Sequence, residues 1–134
     1  MAAEAAYDEC EDWLDQVVEY IDGTHGFVDH SVRTHLPDVK YVKPEGTFLA
    51  WLDVRRPLDR VGAAATAAAE DRSPEAVFQE LLVDNAHIHV NPGSIYGSGG
   101  AGRMRMNIAT SRQLVERARG NMRDALARLQ RLRG

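Results

Sequence analysis

Apolar residues recur every three or four positions across residues 7–36, and this spacing predicts a helix with one buried stripe. The predicted stripe is Trp13, Leu14, Val17, Val18, Ile21, Val28 and Val32. Gly23 and Gly26 weaken the middle of this helix, since glycine has a low helix propensity. The Leu36-Pro37 step ends it, because the residue before a proline disfavours helical geometry.

Residues 39–42 and 47–54 are predicted as two strands joined by a turn at residues 44–46, because β-branched and aromatic residues dominate both runs. Two further strands are predicted over residues 87–90 and 103–109, with a glycine-rich turn between them. Ser73 and Pro74 begin another helix, since serine caps helix N-termini and proline fits the first helical position.

The helix after Pro74 and the last helix, over residues 113–133, both have a predicted apolar face. The first face is Ala76, Val77, Leu81 and Leu82, and the second is Val115, Ala118, Met122, Ala125, Leu126, Leu129 and Leu132. Residues 56–72 contain a run of alanines and no large apolar side chain after Val61. We therefore expect residues 56–72 to be an inserted surface segment with local helix propensity and high mobility.

The order helix, two strands, helix, two strands, helix predicts an α/β (α+β) fold, a small sandwich in which helices cover a three- to four-stranded sheet. With 134 residues and 44% hydrophobic content, residues 1–134 are expected to form one domain with one core. Such a layout supports unrelated functions, so function has to be argued from a site.

Charge is divided between the two ends of the chain. Residues 1–30 contain nine acidic residues and neither lysine nor arginine, whereas residues 103–134 contain nine arginines. We interpret these ends as solvated helix faces that attract each other or meet a partner of opposite sign. Nucleic-acid binding is not predicted, because no aromatic residue that could stack on bases follows Tyr96.

Two further observations bear on location. No apolar run approaches the roughly 18 residues of a membrane span, and no basic leader precedes an apolar stretch. The single cysteine, Cys10, has no intramolecular partner and fits a reducing compartment. A soluble, cytoplasmic protein without a membrane partner is expected.

The chemistry of the chain is concentrated in the strand after the glycine-rich turn. Alternation places Arg103, Arg105 and Asn107 on one strand face. A guanidinium binds a carboxylate through two parallel charge-assisted hydrogen bonds, which favours recognition of the acid end of an amino or keto acid. Lys40 and Lys43 are the only lysines, and neither lies in a turn that favours covalent amine chemistry.

Three segments resemble the C-terminal small domain of class I and II pyridoxal-phosphate-dependent aminotransferases, and most of all the cystathionine β-lyase-like group. The segments are residues 36–54, Asn91-Pro-Gly and Arg105-Met-Asn-Ile-Ala109, in the family's order and spacing. The resemblance runs from about residue 10 to the end, apart from residues 56–72. It implies the small-domain fold, pyridoxal 5'-phosphate as the parent enzyme's cofactor and an amino acid substrate.

The same resemblance implies that the large domain, with the lysine that carries the cofactor, is missing from this chain. The chain is then expected to be inactive alone and to bind no cofactor. No residue is predicted to be catalytic, cofactor-binding or metal-binding. His87 and His89 share the face of a predicted strand, but no third ligand lies near them in the sequence.

By the resemblance, Arg105 is the strand arginine that grips the substrate α-carboxylate, and Gly46 and Thr47 lie near the substrate entrance. The competing interpretation is that Arg105 forms an ordinary structural salt bridge or lies on an exposed strand face. Arg103 stands where relatives carry an apolar residue, so it either competes for the same carboxylate or accepts a second acid group. Asn107, on the same face, completes the predicted strand contacts.

Tyr96 is the remaining predicted substrate contact, and it replaces a phenylalanine of the family. Its added hydroxyl either reaches the substrate or faces water. Ser111 replaces a family proline and is expected to cap the last helix. Trp51 and Phe48 are expected to be core residues rather than ligand platforms.

Two functions remain open. The first is part of an amino-acid enzyme, either an aminotransferase or a carbon-sulfur β-lyase that eliminates a thiol. The second is a non-catalytic binding or association module with the same fold. Without the large domain, an uncovered apolar patch is expected to favour self-association.

Overall fold

The computed structural model describes residues 2–132. Its helices are α1 (Ala2–Asp8), α2 (Glu11–His35), α3 (Arg55–Arg60), α4 (Ala63–Glu70), α5 (Pro74–Ala86) and α6 (Arg112–Arg131). Its strands are β1 (Lys40–Tyr41), β2 (Leu49–Asp53), β3 (Asn91–Pro92) and β4 (Arg103–Asn107). Two short 3₁₀ turns, Gly93–Tyr96 and Ser98–Gly100, connect β3 to β4.

The four strands form one antiparallel sheet in the order β1-β2-β4-β3. Successive residues of β2 and β4 point to opposite faces of the sheet. Ala50, Leu52 and Met104 are almost fully buried on one face, whereas Trp51 and Arg105 on the other are only half-buried. The predicted mixture of helices and a small sheet is confirmed, with helices packed on one face of the sheet.

The core lies between this buried sheet face and helices α2, α5 and α6. Its larger side chains are Val28, Val32, Leu52, Phe78, Leu82, Met104, Ile108, Met122 and Leu126. Ser73 caps α5 by accepting a hydrogen bond from the Ala76 backbone N–H at 3.1 Å, with Pro74 at the first helical position as predicted. Burial of apolar area is the main force that holds these layers together.

Residues 56–72 were predicted to be a surface segment with local helix propensity; the helix propensity is confirmed, but the surface placement is wrong. They form α3 and α4, and Leu58, Val61, Ala63 and Ala67 belong to the core. Helix α4 packs against α5. Leu58 and Val61 supply the larger apolar area, and the small alanine side chains of α4 allow that helix to approach α5 closely.

The predicted strand over residues 87–90 is also wrong. His87 adopts a left-handed conformation, with φ 56°, and forms the C-cap of α5. The strand that pairs with β4 is Asn91–Pro92. Proline is tolerated there because β3 is an edge strand whose outer N–H positions need no partner. His87 and His89 therefore do not share a strand face.

The long first helix is interrupted, and half of its predicted stripe is uncovered. Helix α1 ends at Asp8 and α2 begins at Glu11. Trp13, Leu14 and Val18 are 64%, 53% and 56% exposed, whereas the buried residues of α2 begin at Thr24. Only the second half of α2 faces the sheet, and its first half keeps an exposed apolar stripe. Within residues 2–132, no helix has the length and apolar character needed to cross a membrane.

The turn between β3 and β4 depends on two glycines whose backbones touch. A Cβ atom on Gly100 would lie 1.9 Å from the carbonyl oxygen of Gly93, and one on Gly93 would lie 2.3 Å from that of Gly100. Both contacts are with backbone atoms, which cannot rotate away as a side chain can. Glycine is thus required at both positions to let the two 3₁₀ turns pack on each other.

Replacing Gly100 with alanine is expected to lower the free energy of unfolding by ~2 kcal/mol, because the new methyl group forces the two turns apart. Gly99→Ala is the matched control, since a Cβ on Gly99 meets no atom within 4 Å. Urea unfolding followed by circular dichroism measures both variants. Equal stability of the two variants would contradict the backbone-contact argument.

Candidate functional site

Arg105 lies in the middle of the sheet face that is opposite the core. Its strand, β4, runs between β2 and β3, and Arg105 is paired with Trp51 on one side and Asn91 on the other. Its neighbour Met104 points into the core and is fully buried. The alternation predicted for this strand thus places Arg105 on the outer face, as expected.

The guanidinium of Arg105 has no acidic partner among residues 2–132. Its Nε atom is buried and has no hydrogen-bond partner in that part of the chain. A buried polar atom without a partner is uncommon and calls for a specific explanation. The ordinary salt bridge considered as an alternative for Arg105 is therefore absent from residues 2–132.

The described partner of this guanidinium is the ring of Tyr96. The Cζ atom of Arg105 lies 4.1 Å from the ring centroid, well within the distance of a cation–π contact. Tyr96 in turn meets Trp51 edge-to-face, with the ring centroids 5.8 Å apart and an interplanar angle of 80°. Trp51, Tyr96 and Arg105 therefore form one cluster, which we call the arginine–aromatic cluster.

Trp51 is the member of this cluster that was not predicted to be a site residue. The prediction that Trp51 and Phe48 are core residues is wrong, because Trp51 is half-buried on the Arg105 face and Phe48 is 44% exposed. The alternation of β2 contained the signal for Trp51. Its even-numbered neighbours Ala50 and Leu52 are the buried residues, which leaves position 51 for the other face.

Arg103 shares the outer face but has a protein partner. Its Nη1 atom donates a hydrogen bond to the Gly99 carbonyl oxygen in the turn before β4. Asp53 is paired with Arg103 in the sheet, but Arg55 binds the Asp53 carboxylate through Nε at 3.0 Å and Nη2 at 2.5 Å. These hydrogen bonds from Arg55 are the main reason that the pKa of Asp53 is lowered. Arg103 thus fastens the turn, while Arg105 has no such bond.

Asn107 and Ser111 serve the end of β4. The Asn107 Oδ1 atom accepts a hydrogen bond from the Ala109 backbone N–H at 2.8 Å, which shapes the turn after the strand. Ser111 caps α6, as predicted, by accepting a bond from the Leu114 N–H at 3.4 Å. The side chain of Asn107 thus stabilises the turn that follows β4.

Gly46 and Thr47 lie away from the arginine–aromatic cluster. Neither residue belongs to β2, which begins at Leu49. Both residues border a groove of about 370 Å³. The exposed first half of α2 forms its other wall, including Trp13, Val17 and Ile21. The predicted site residues are therefore divided between two places.

A buried histidine holds the Thr47 turn. His25 is 2% exposed, and its Nε2 atom lies 2.9 Å from the Thr47 carbonyl oxygen. Because that oxygen can only accept, Nε2 donates, and Nδ1 accepts from the Tyr41 hydroxyl at 2.5 Å. Thr47 has a φ of 68°, which is strained for a β-branched residue. His25 and Tyr41 were not predicted, because their contact depends on tertiary packing.

Burial shifts the titration of the tyrosine in this arrangement. Desolvation raises the pKa of Tyr41 from its ordinary 10.0 to about 12, and the nearby Asp29 carboxylate contributes in the same direction. The neutral hydroxyl therefore persists to high pH and continues to donate to His25.

The amino-acid sequence of this chain matches a family model and several known proteins. The family model described as aminotransferase class I and II matches residues 1–121. The chain is 34% identical over 132 residues to the "Putative cystathionine beta-lyase" of Mycobacterium tuberculosis, covering 94% of this chain and 31% of that relative. It is 30% identical to cystathionine beta-lyase PatB of Bacillus subtilis, covering 94% of this chain and 29% of the relative.

The solved structures that are similar to this chain come from related enzymes. A PLP-bound "putative aminotransferase" from Clostridium difficile superposes with a TM-score of 0.78 at 30% identity, covering 93% of this chain and 29% of that one. Cystalysin from Treponema denticola, which contains pyridoxal 5'-phosphate, gives 0.76 at 28% identity, covering 94% of this chain and 28% of that one. The chain spans about a third of the length of the curated relatives it matches.

Stability at alkaline pH is expected to depend on Tyr41. In the unfolded chain tyrosine ionises near pH 10, whereas folded Tyr41 keeps its proton to about pH 12. Between these values the folded state binds more protons, so the free energy of unfolding falls as pH rises, by about 2 kcal/mol in total. Urea unfolding at pH 9 to 12 measures the slope.

Tyr41→Phe should remove that part of the slope, whereas Tyr7→Phe, at a residue that is 89% exposed, should leave it unchanged. Identical pH profiles for wild type and Tyr41→Phe would show that the raised pKa of Tyr41 is not linked to folding.

Proposed function

Because the chain belongs to the class I and II aminotransferase family, we propose that it is the small domain that binds the substrate carboxylate in a pyridoxal-phosphate-dependent enzyme acting on amino acids. The observation that carries this proposal is the half-buried Arg105, whose Nε has no acceptor within residues 2–132. A bidentate carboxylate supplies such acceptors. Tyr96 borders the same position and is the second proposed contact.

The residues present fit the carboxylate end of the substrate rather than the cofactor itself. Lys43 is paired with Asp22 at 2.6 Å, and Lys40 is exposed on the edge strand β1. We assign the lysine that carries the cofactor to the part of the longer protein that this chain does not include. When bound there, pyridoxal phosphate withdraws electrons from the substrate Cα atom. The chain alone is then inactive.

The contribution of Arg105 is orientation. A guanidinium that grips both carboxylate oxygens fixes the rotation of the substrate about its Cα atom, and it thereby decides which Cα bond faces the electron-withdrawing group. Lysine would bind the same charge without fixing its rotation. Arg103, which already bonds the Gly99 carbonyl, supports this arrangement from the turn.

The identities of the relatives favour one reaction class over another. Cystathionine beta-lyase PatB and the "Putative cystathionine beta-lyase" of Mycobacterium tuberculosis are both at least 30% identical to this chain, so carbon-sulfur β-elimination is the better supported outcome, with aminotransfer as the alternative. The substrate would then be an amino acid that carries a sulfur leaving group. We place the enzyme in the cytoplasm, which fits its single free cysteine, Cys10.

The proposal predicts that Arg105 binds simple carboxylates in the isolated chain. Titration with acetate or L-alanine, followed by the ¹H–¹⁵N signal of the Arg105 Nε–H group, should show a saturable shift in the millimolar range. Arg105→Lys, which lacks this signal and is followed through the backbone ¹H–¹⁵N signals of residues 103–107, should bind about tenfold more weakly, since it loses the second charge-assisted hydrogen bond.

Arg117→Gln is the control for general charge, because Arg117 is an exposed arginine of α6. It should bind acetate as wild type does. An Arg105 signal that does not respond to any carboxylate would refute the proposed function.

The exposed apolar stripe favours the second candidate function, association with another copy. Trp13, Leu14 and Val18 are more than half exposed, and acidic residues of α2 flank them. Helix α6 presents arginines that a second copy could place against these acids. Apolar patches of this kind commonly mark interfaces.

Self-association is therefore expected at high protein concentration, and Leu14→Ser should weaken it about tenfold by removing apolar area. Val83→Ser, at a 38% exposed valine of α5, is the control outside both helices. Sedimentation velocity across a concentration series measures both variants. A monomer at all concentrations would count against the association module.

A further inference from the structure

The geometry points to Tyr96 as a positioning residue for Arg105, acting through its aromatic ring rather than through its hydroxyl. This inference rests on the proposed carboxylate site and adds a second requirement to it. An arginine that binds a carboxylate through both nitrogens needs its planar guanidinium held in one orientation. Arginine loses considerable rotamer freedom when it is fixed in this way.

The ring of Tyr96 is placed to restrict that freedom. At 4.1 Å from the ring centroid to the Arg105 Cζ atom, the ring lies directly against the guanidinium. The attraction between the cation and the ring favours this contact over a solvated rotamer. Arg105 is therefore ordered before a ligand arrives, which lowers the entropic cost of binding.

The hydroxyl of Tyr96 has no corresponding role within the chain. Tyr96 is 45% exposed, and its hydroxyl makes no hydrogen bond in the described part, residues 2–132. The ring makes a cation–π contact with Arg105 and a T-shaped contact with Trp51. The contacts of Tyr96 are thus those of its aromatic system.

The glycine-rich turn fixes the position of the ring. Tyr96 ends the first 3₁₀ turn, which packs on the second through the Gly93–Gly100 backbone contact. Gly97 follows with a φ of 109°, which is accessible to glycine and rarely to other residues. The Arg103 hydrogen bond to Gly99 ties the same turn to β4, the strand that carries Arg105.

A buried carboxylate anchors the other end of this turn. Glu75 is 5% exposed, and its Oε1 atom accepts a hydrogen bond from the Gly102 backbone N–H at 2.5 Å. Gly102, with a φ of 72°, is the residue directly before β4. The turn is therefore fastened at Gly99 and at Gly102, so the ring and the guanidinium belong to one rigid unit.

The test measures acetate binding to the full chain through the ¹H–¹⁵N signal of Arg105 Nε–H in three variants. Tyr96→Phe keeps the ring, so the Arg105 signal should stay in place and acetate binding should weaken less than in Tyr96→Leu. Tyr96→Leu should weaken binding about two- to fivefold and should move the free Arg105 signal, because the ring current is lost. Ile95→Ala, at a 67% exposed neighbour in the same turn, should match wild type.

The outcomes separate this inference from the proposed function. If wild type shows no saturable response to acetate, the carboxylate site itself is wrong. If wild type responds and Tyr96→Leu binds equally well with an unmoved signal, only the positioning role is overturned. If Tyr96→Phe binds as weakly as Tyr96→Leu, the hydroxyl contacts the ligand, and the assignment to the ring is wrong.

A fourth variant guards against a general loss of structure in Tyr96→Leu. Trp51→Leu removes the edge contact with Tyr96 but leaves the turn unchanged, and it should weaken acetate binding in the same direction by a smaller factor. Unchanged binding and an unmoved Arg105 signal in Trp51→Leu would contradict the role of the arginine–aromatic cluster as a unit.

Discussion

The antiparallel register between β2 and β4 is the constraint on which the rest of this structure depends. In this register Met104 is buried in the core and Arg105 lies on the opposite face beside Trp51. A slip of one residue would exchange the two faces, since side chains alternate with a period of two. The guanidinium would then enter the core without a partner, which costs several kcal/mol. The same β2–β4 register therefore both packs the core and places Arg105 on the opposite face.

The backbone of the turn before β4 determines where the side chain of Tyr96 lies relative to Arg105. Gly93 and Gly100 touch through their backbones, so the two 3₁₀ turns are closer than any side chain would permit. A glycine-rich turn is often associated with phosphate binding, but here the close contact is between two parts of the protein itself. Its consequence is a fixed position for Tyr96, and the fixed ring determines where Arg105 points.

Local sequence patterns correctly predicted local features of the structure. They failed for features that depend on residues distant in the sequence. The helix caps at Ser73 and Ser111 and the alternation at Arg105 follow from a few adjacent residues, and all three are present. The apolar stripe of α2 has the correct period, but periodicity does not reveal whether another element covers it, and Trp13 is exposed. The surface placement predicted for residues 56–72 is wrong because Leu58 and Val61 pack into the core and the alanines of α4 are covered by close approach to α5. His25 contacts Tyr41 and Thr47 across 16 and 22 positions, which no local pattern encodes.

Two arginines on one strand face have different roles because the protein satisfies only one of them. The strongest local acceptor, the Asp53 carboxylate, is held by Arg55, and Arg103 bonds the Gly99 carbonyl. Arg105 has an aromatic ring beside it, which offers attraction to the cation but no lone pair for its N–H groups. A buried donor without an acceptor raises the energy of the free protein, and a ligand that supplies the acceptor recovers that energy on binding. The same argument distinguishes ligands, because a neutral group of similar size offers weaker acceptors than a carboxylate. Selectivity for an acid thus follows from the Arg105 Nε–H donor, which has no acceptor within residues 2–132, as well as from the positive charge of the guanidinium.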